Sequence, residues 1–414
     1  MKSKIFNFLI YGFGQSINIL GPLLVIPYII SICREEGLGK IGISFSVSLI
    51  LCCIIDYSSG ILGTKDVSIN RTNIRFLKIK IGEFYAAKAI LAIGITSILV
   101  ISVFIFPFLK TEKELYLYLI PLLIAQAFNP NWILQGLERF KVIALFNILS
   151  KSAYLFLVFT LISKQSDYIL VNFFLGISNL ILYLIASLYI FYSLGIKYKH
   201  ISIKRGFRIL KKDFTICLSE FCLSIYQFFP IVIIGYFIGN TSAGIYKIIE
   251  QIISVFRTYI FMFFSFCFPT ICYEIEKDKK NGFKQWMIYN GGNTILIFFG
   301  CIFIFIIREY VFLFFKVSPD LIPMLNQLLL IGLLIPVITS ISQAFRQLLF
   351  ALDIMKPYTR TIYIATFFNV ILMIGLVQII GLKGALLTTL IIEGIFISSY
   401  SYFIKKYYKL SLTQ

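Results

Sequence analysis

Long apolar runs recur from one end of the chain to the other, separated by short polar stretches that carry most of the charge. A helix of about 18 or more apolar residues, rising about 1.5 Å per residue, is long enough to cross the hydrocarbon core of a bilayer. Twelve such runs predict helices over residues 8–31, 41–62, 82–108, 115–136, 142–163, 168–193, 214–238, 243–272, 286–306, 321–345, 359–380 and 384–404. The first is too long and too polar at its centre for a cleaved leader, and it reads as the first spanning helix. The expected fold is therefore an all-α integral membrane protein.

Composition agrees. The chain is 59% hydrophobic and 14% charged, with a mean hydropathy of +0.90, which excludes an ordinary soluble domain. The formal charge of +19 raises the question of nucleic acid, and the placement of the charges answers it. With the amino terminus in the cytoplasm, 26 of the 38 Lys and Arg fall on the inside, 8 on the outside and 4 within helices. That asymmetry predicts a multi-pass membrane protein with both termini cytoplasmic. The surplus favours anionic lipid headgroups over nucleic acid.

Seven of the eight cysteines fall in predicted helices, Cys33 alone approaching an outside loop, so no disulfide framework is expected. His200 is the single histidine, and no His/Cys/carboxylate spacing suggests a metal or cofactor. Outside loops are short and lack His, which argues against a membrane-embedded polymerase or ligase and for a protein that is not an enzyme.

The basic stretch Gly195–Lys212 lies mid-chain and divides the sequence into expected lobes 1–205 and 206–414, six helices each, around a central cavity. "PLLVIPYII" at 22–30 and "PIVIIGYFI" at 230–238 hint at an internal repeat of half the chain.

Polar side chains inside hydrocarbon are costly, so each marks a wet or partnered face. In "IYKIIEQIISVFRTYIF" (245–261), Lys247, Glu250, Ser254 and Arg257 share an arc of about 80°, and Lys247 can pair with Glu250 one turn on. The fifth run places Asn147, Lys151 and Tyr154 on one face, and the third carries Lys88, near enough to an end to snorkel. Other faces hold Gln15 and Asn18; Glu220, Ser224 and Gln227; and Thr339, Gln343 and Arg346. Asp56 and Glu393 are further deep acids. The third and fifth runs bring only cations, so a basic patch in the first lobe is expected, suited to phosphate or pyrophosphate. Prolines 121, 130, 230, 323 and 336 predict broken helices.

Several stretches also resemble the bacterial lipid-linked repeat-unit (O-antigen and polysaccharide) flippases of the multidrug/oligosaccharidyl-lipid/polysaccharide exporter superfamily. These are "NFLIYGFGQSINILGPLLVIPYI" from Asn7, "GLG" at 37–39, "AQAFNPNWILQGLERFK" at 125–141 with Trp132, Gln135, Gly136 and Glu138, and "GNTSAGIYKIIEQI" with Gly244 and Tyr246. The likeness covers 1–275 visibly. It departs at Ser31, where the family pattern has Arg, and at "DYSSG" (56–60). The resemblance implies alternating-access transfer of an undecaprenyl-pyrophosphate-linked glycan between leaflets, beside a polysaccharide polymerase and a chain-length regulator. On that reading Lys151, Arg257, Lys247, Lys88 and Arg346 attract the head group. Gln15, Asn18, Gln227 and Gln343 bond the sugars, and Glu220, Glu250 and Asp56 couple an ion. The rival within the superfamily is an ion-coupled multidrug exporter, which calls for surplus acid in its cavity. The "WILQGLERFK" segment reads structurally, as an interfacial Trp anchor with Glu138 pairing Arg139 or Lys141.

Overall fold

The computed structural model describes residues 2–412, and side chains for residues 21, 23–268 and 270–407. Its principal helices are α1 (Lys2–Asp56), α2 (Ile74–Ile105), α3 (Ile120–Phe128), α4 (Phe140–Leu161), α5 (Tyr168–Leu194), α6 (Ile203–Lys212), α7 (Phe214–Phe237), α8 (Asn240–Lys277), α9 (Lys279–Ile306), α10 (Ile322–Gly332), α11 (Leu334–Ala351), α12 (Met355–Ile380) and α13 (Leu382–Leu412). Among the described residues no strand forms, and eleven helices are long and apolar enough to cross a membrane. The chain is an all-α, multi-pass membrane protein.

Eleven arises because α1 carries the first two expected runs. They meet at a kink centred on Arg34 (φ 58°, ψ −176°) instead of at a loop over 32–40. The helix resumes at once because Glu35 and Glu36 sit where a new helix start favours negative charge. Lys40 then bonds Glu36 one turn back at 3.2 Å and Glu112 at 2.8 Å.

Prolines break two of the spans where expected. The fourth run divides into Lys113–Leu117, α3 and Asn131–Gly136, with Pro121 in the first turn of α3 and Pro130 capping the last piece. The tenth divides between α10 and α11, with Pro336 in the first turn of α11. Pro230 does not break its helix as expected but is carried inside a continuous α7, a placement that membrane helices tolerate when neighbours satisfy the freed carbonyl.

The chain forms two compact units, Met1–Val232 and Ile233–Gln414. Helix α6 straddles the sequence-based division at 205/206, and it packs on α2 of the first unit. Two glycines allow this. A Cβ on Gly206 would lie 3.0 Å from the Ala87 nitrogen, and one on Gly82 would lie 2.3 Å from the His200 carbonyl oxygen. The connector runs backbone-close along α2 through both gaps.

Beside it lies the apolar core of the first unit, in which Leu77, Ile81, Phe84, Trp132, Ile133, Ile190 and Ile209 are buried. Trp132 is not an interfacial anchor. It is 4% exposed, with its ring 5.0 Å from that of Phe84. Glu138 bonds Arg71 at 3.0 Å rather than its chain neighbours. Elsewhere large apolar side chains such as Ile93, Phe104 and Phe367 stand exposed, as lipid-facing positions require.

Candidate functional site

A cavity of about 380 Å³ opens within the first unit. Helical periodicity builds its walls. Phe45, Leu49, Cys52, Cys53 and Asp56 recur along one face of α1. Leu175, Asn179 and Tyr183 do so on α5, and Glu220, Ser224 and Phe228 on α7; α3 adds Gln126 and α4 adds Lys151.

Asp56 closes one end. Its Oδ1 lies 2.7 Å from Lys88 Nζ and accepts a hydrogen bond from Ser59 Oγ at 2.9 Å. Lys88 is 1% exposed, so it does not snorkel. It reaches from α2 into a dry site directly behind the carboxylate. The contact is an ion pair by distance, with the ammonium approaching away from straight hydrogen-bond geometry. Removing one partner of such a pair strands the other charge, at a cost of about 3–5 kcal/mol.

The next residues latch the cavity rim to the connector. Tyr57 turns out of α1 at φ 54° and donates its hydroxyl to the Leu210 carbonyl of α6. Burial pushes that hydroxyl up to about 12, so it stays protonated as a donor. Ser58 Oγ donates to Asp213 Oδ2 at 2.8 Å, between α6 and α7. The "DYSSG" departure is thus a built turn.

Lys151 lines the cavity and, among the described residues, has no ion-pair or hydrogen-bond partner. Its stem runs past Gly21 of α1, where a Cβ would lie 3.6 Å from Cδ. One turn N-terminal in the same helix, Asn147 is buried, and Ser150 Oγ donates to Asn179 Oδ1 at 2.6 Å. Tyr154 is buried away from the void.

The expected excess of cations needs correcting. Counting charges helix by helix left α2 and α4 basic, but α1 and α7 turn Asp56 and Glu220 into the same space. The cavity is mixed in charge, with Asp56 engaged by Lys88.

The second unit keeps its own charges. Lys247 Nζ donates to Glu250 Oε2 at 2.6 Å, the pairing that their spacing predicts. Arg257 is half-buried further along α8. The Arg346 guanidinium stands 5.2 Å from the Phe350 ring centre and 5.3 Å from that of Tyr358, and donates to Gln343 Oε1 at 3.3 Å. Gln227 is exposed and does not line the first-unit cavity. Gln15 and Asn18 lie outside the described side chains.

Of the predicted site residues, Lys151, Asp56 and Glu220 thus come together, with Lys88 one layer behind. Sequence reasoning missed Gln126, Asn179 and Tyr183. Leu175, Asn179 and Tyr183 share the helical spacing that could have revealed them. It also left the setting of Glu393 unread: this side chain is 2% exposed, with Thr339 Oγ1 donating to Oε1 at 2.9 Å and Ser342 Oγ donating to Oε2.

The family described as "Polysaccharide biosynthesis protein" matches residues 6–273. A putative O-antigen transporter of Escherichia coli (strain K12) is 26% identical over 234 residues, 56% of this chain and 55% of that protein. One of Shigella dysenteriae is 22% identical over 248 residues, 58% of this chain and 59% of its own length. The chain thus spans little more than half the length of these curated relatives. Among solved structures, the lipid II flippase MurJ in an inward closed conformation has a TM-score of 0.74 at 14% identity, covering 97% of this chain and 87% of that one. An inward-facing multidrug resistance MATE family transporter of the MOP superfamily has a TM-score of 0.73 at 15% identity, covering 94% and 96%. At such identities the likeness shows the fold, which is that of these transporters. The match over residues 6–273 covers well over half of the chain, and with it the protein belongs to the polysaccharide biosynthesis protein family.

Proposed function

We propose that the chain is a flippase, not an enzyme, which moves an undecaprenyl-pyrophosphate-linked oligosaccharide repeat unit from the cytoplasmic to the periplasmic leaflet of a bacterial inner membrane. Family membership and the O-antigen transporters among its relatives support the cargo class. The observation that carries the reading is Lys151, an ammonium on the wall of the cavity with no ion-pair partner among the described residues. A pyrophosphate cannot enter hydrocarbon unaided, and a buried cation among neutral donors offsets its lost hydration. Gln126, Asn179, Tyr183 and Ser224 supply such donors for phosphate or the first sugar. At about 380 Å³ the cavity suits a head group rather than a whole repeat unit.

On this proposal Lys151 makes the principal contact. Lys88 holds Asp56 in place, while Lys247, Arg257 and Arg346 act on cargo only if their present partners release them. Alternating access, cytoplasmic termini and association with a polymerase and chain-length regulator belong to the same reading. A second reading, an exporter of cationic drugs, draws on Asp56 and Glu220 in the cavity wall and on the fold shared with a MATE family transporter.

A leaflet assay separates them. In cells lacking the protein, lipid-linked oligosaccharide should accumulate on the cytoplasmic side alone, and the intact chain should relieve it while Lys151→Glu does not. Equal accumulation on both sides overturns the flippase reading. Altered drug resistance with normal glycan export supports the second.

A further inference from the structure

Helix α6 has one face committed to the protein and another that nothing in the first unit covers. Gly206 and Ile209 form its buried face against α2. Arg205 is also engaged, 3.8 Å from Glu83 and donating to the His200 carbonyl at 3.1 Å. The remaining face presents Ile203, 66% exposed, and Phe207, 56% exposed. Between and beyond them stand the exposed cations Lys204, Arg208, Lys211 and Lys212. The helix contains no acid, and among the described residues none of these four has an ion-pair partner.

Its position along the chain fixes its surroundings. It lies between α5 and α7, both long and apolar enough to cross a membrane, and is itself short and polar. It therefore sits where two spanning helices leave the bilayer. A short helix there, apolar on one edge and cationic beside it, has the chemistry of an in-plane interfacial helix.

We propose that this face of α6 binds anionic phospholipid, with phosphates on Lys204, Arg208, Lys211 and Lys212 and acyl chains against Ile203 and Phe207. Charge complementarity selects this occupant. A neutral protein partner would leave four cations unmatched, and water would leave Phe207 and Ile203 bare. Each basic group near an anionic surface favours that surface by roughly fivefold. The helix that carries this face is itself tied to the cavity rim, because Tyr57 and Ser58 bond its carboxyl end.

The test uses the full chain carrying Phe207→Trp in phosphatidylcholine bilayers, with the unsubstituted chain giving the background from Trp132 and Trp286. Brominated phosphatidylglycerol and brominated phosphatidylcholine are compared as quenchers at equal mole fraction. We expect the anionic quencher to act as though enriched at least about fivefold, the factor one engaged basic group supplies. That preference should collapse at about 0.5 M salt, where screening is nearly complete at headgroup distances. It should also vanish when Lys204, Arg208, Lys211 and Lys212 are all changed to Gln. The salt titration needs no charge variant, so it stands if the quadruple variant folds poorly. Equal quenching by both lipids, no quenching by either, or a preference that survives high salt would overturn the proposal.

Discussion

Lys88 of α2 and Asp56 at the end of α1 meet at 2.7 Å, with the ammonium sealed from solvent and the carboxylate opening on the cavity. The pair joins two helices and at the same time sets the charge that one wall of the cavity presents.

Removing only the ammonium should therefore be costly. Lys88→Met is expected to destabilise the purified protein by about 3 kcal/mol, the low end for a buried pair because Asp56 is about one-third exposed. Adding Asp56→Asn should recover a large part. Thermal or denaturant unfolding of both single variants and the double, as a cycle, checks this; additive losses would show that the pair is not coupled.

Lys151 should behave in the opposite way. It makes no ion pair among the described residues, so Lys151→Gln should leave stability nearly unchanged while lowering glycan export by about 10-fold or more, the factor one charge-assisted contact supplies. Lys151→Arg should retain part of the export. Initial rates of leaflet transfer, with melting temperatures alongside, separate the two effects.

The connector depends on bare backbone. Gly82→Ala places a Cβ 2.3 Å from the His200 carbonyl oxygen, and Gly206→Ala places one 3.0 Å from the Ala87 nitrogen. Both contacts are to backbone, which cannot swing aside. Gly82→Ala should cost about 1–3 kcal/mol, and Gly206→Ala less. Faster proteolysis between Gly195 and Lys212, with the expression level, reports the loss.

The charges of α8 form a local unit. Lys247→Gln or Glu250→Gln alone should reduce stability by about 2–3 kcal/mol, since the pair is mostly buried and the remaining charge loses its nearest partner. Exchanging the two residues should restore most of it. Failure of the exchange would show that Arg257 or the surroundings fix the order of the charges.

Much of the architecture was legible along the chain. Apolar runs of spanning length, the proline breaks in the fourth and tenth runs and the Lys247–Glu250 spacing are local properties, and each reappears in the helices, whereas Pro230 leaves its helix unbroken. The kink at Arg34 was not legible. Whether a short polar stretch between two apolar runs becomes a loop or a single left-handed residue depends on what receives Lys40, and Glu112 lies far along the chain. Trp132 misled for a related reason. The polar Asn129 and Asn131 before it and the charged Glu138, Arg139 and Lys141 after it suggest an interface, while Phe84 and Tyr85 of another helix enclose it.

What the sequence by itself determined was the class of molecule: an all-helical membrane protein with its charges gathered at helix ends and on a few polar faces. Period and hydropathy are carried by consecutive residues, so they need no partner to be read. Tertiary structure alone decided which charge meets which. Asp56, Glu220 and Lys151 come from three helices far apart in sequence, and only packing turns them toward one cavity. The same packing sets Lys88 against Asp56 and gives Lys151 no ion-pair partner among the described residues, because the partner of a buried charge is whatever the neighbouring helix brings within about 4 Å.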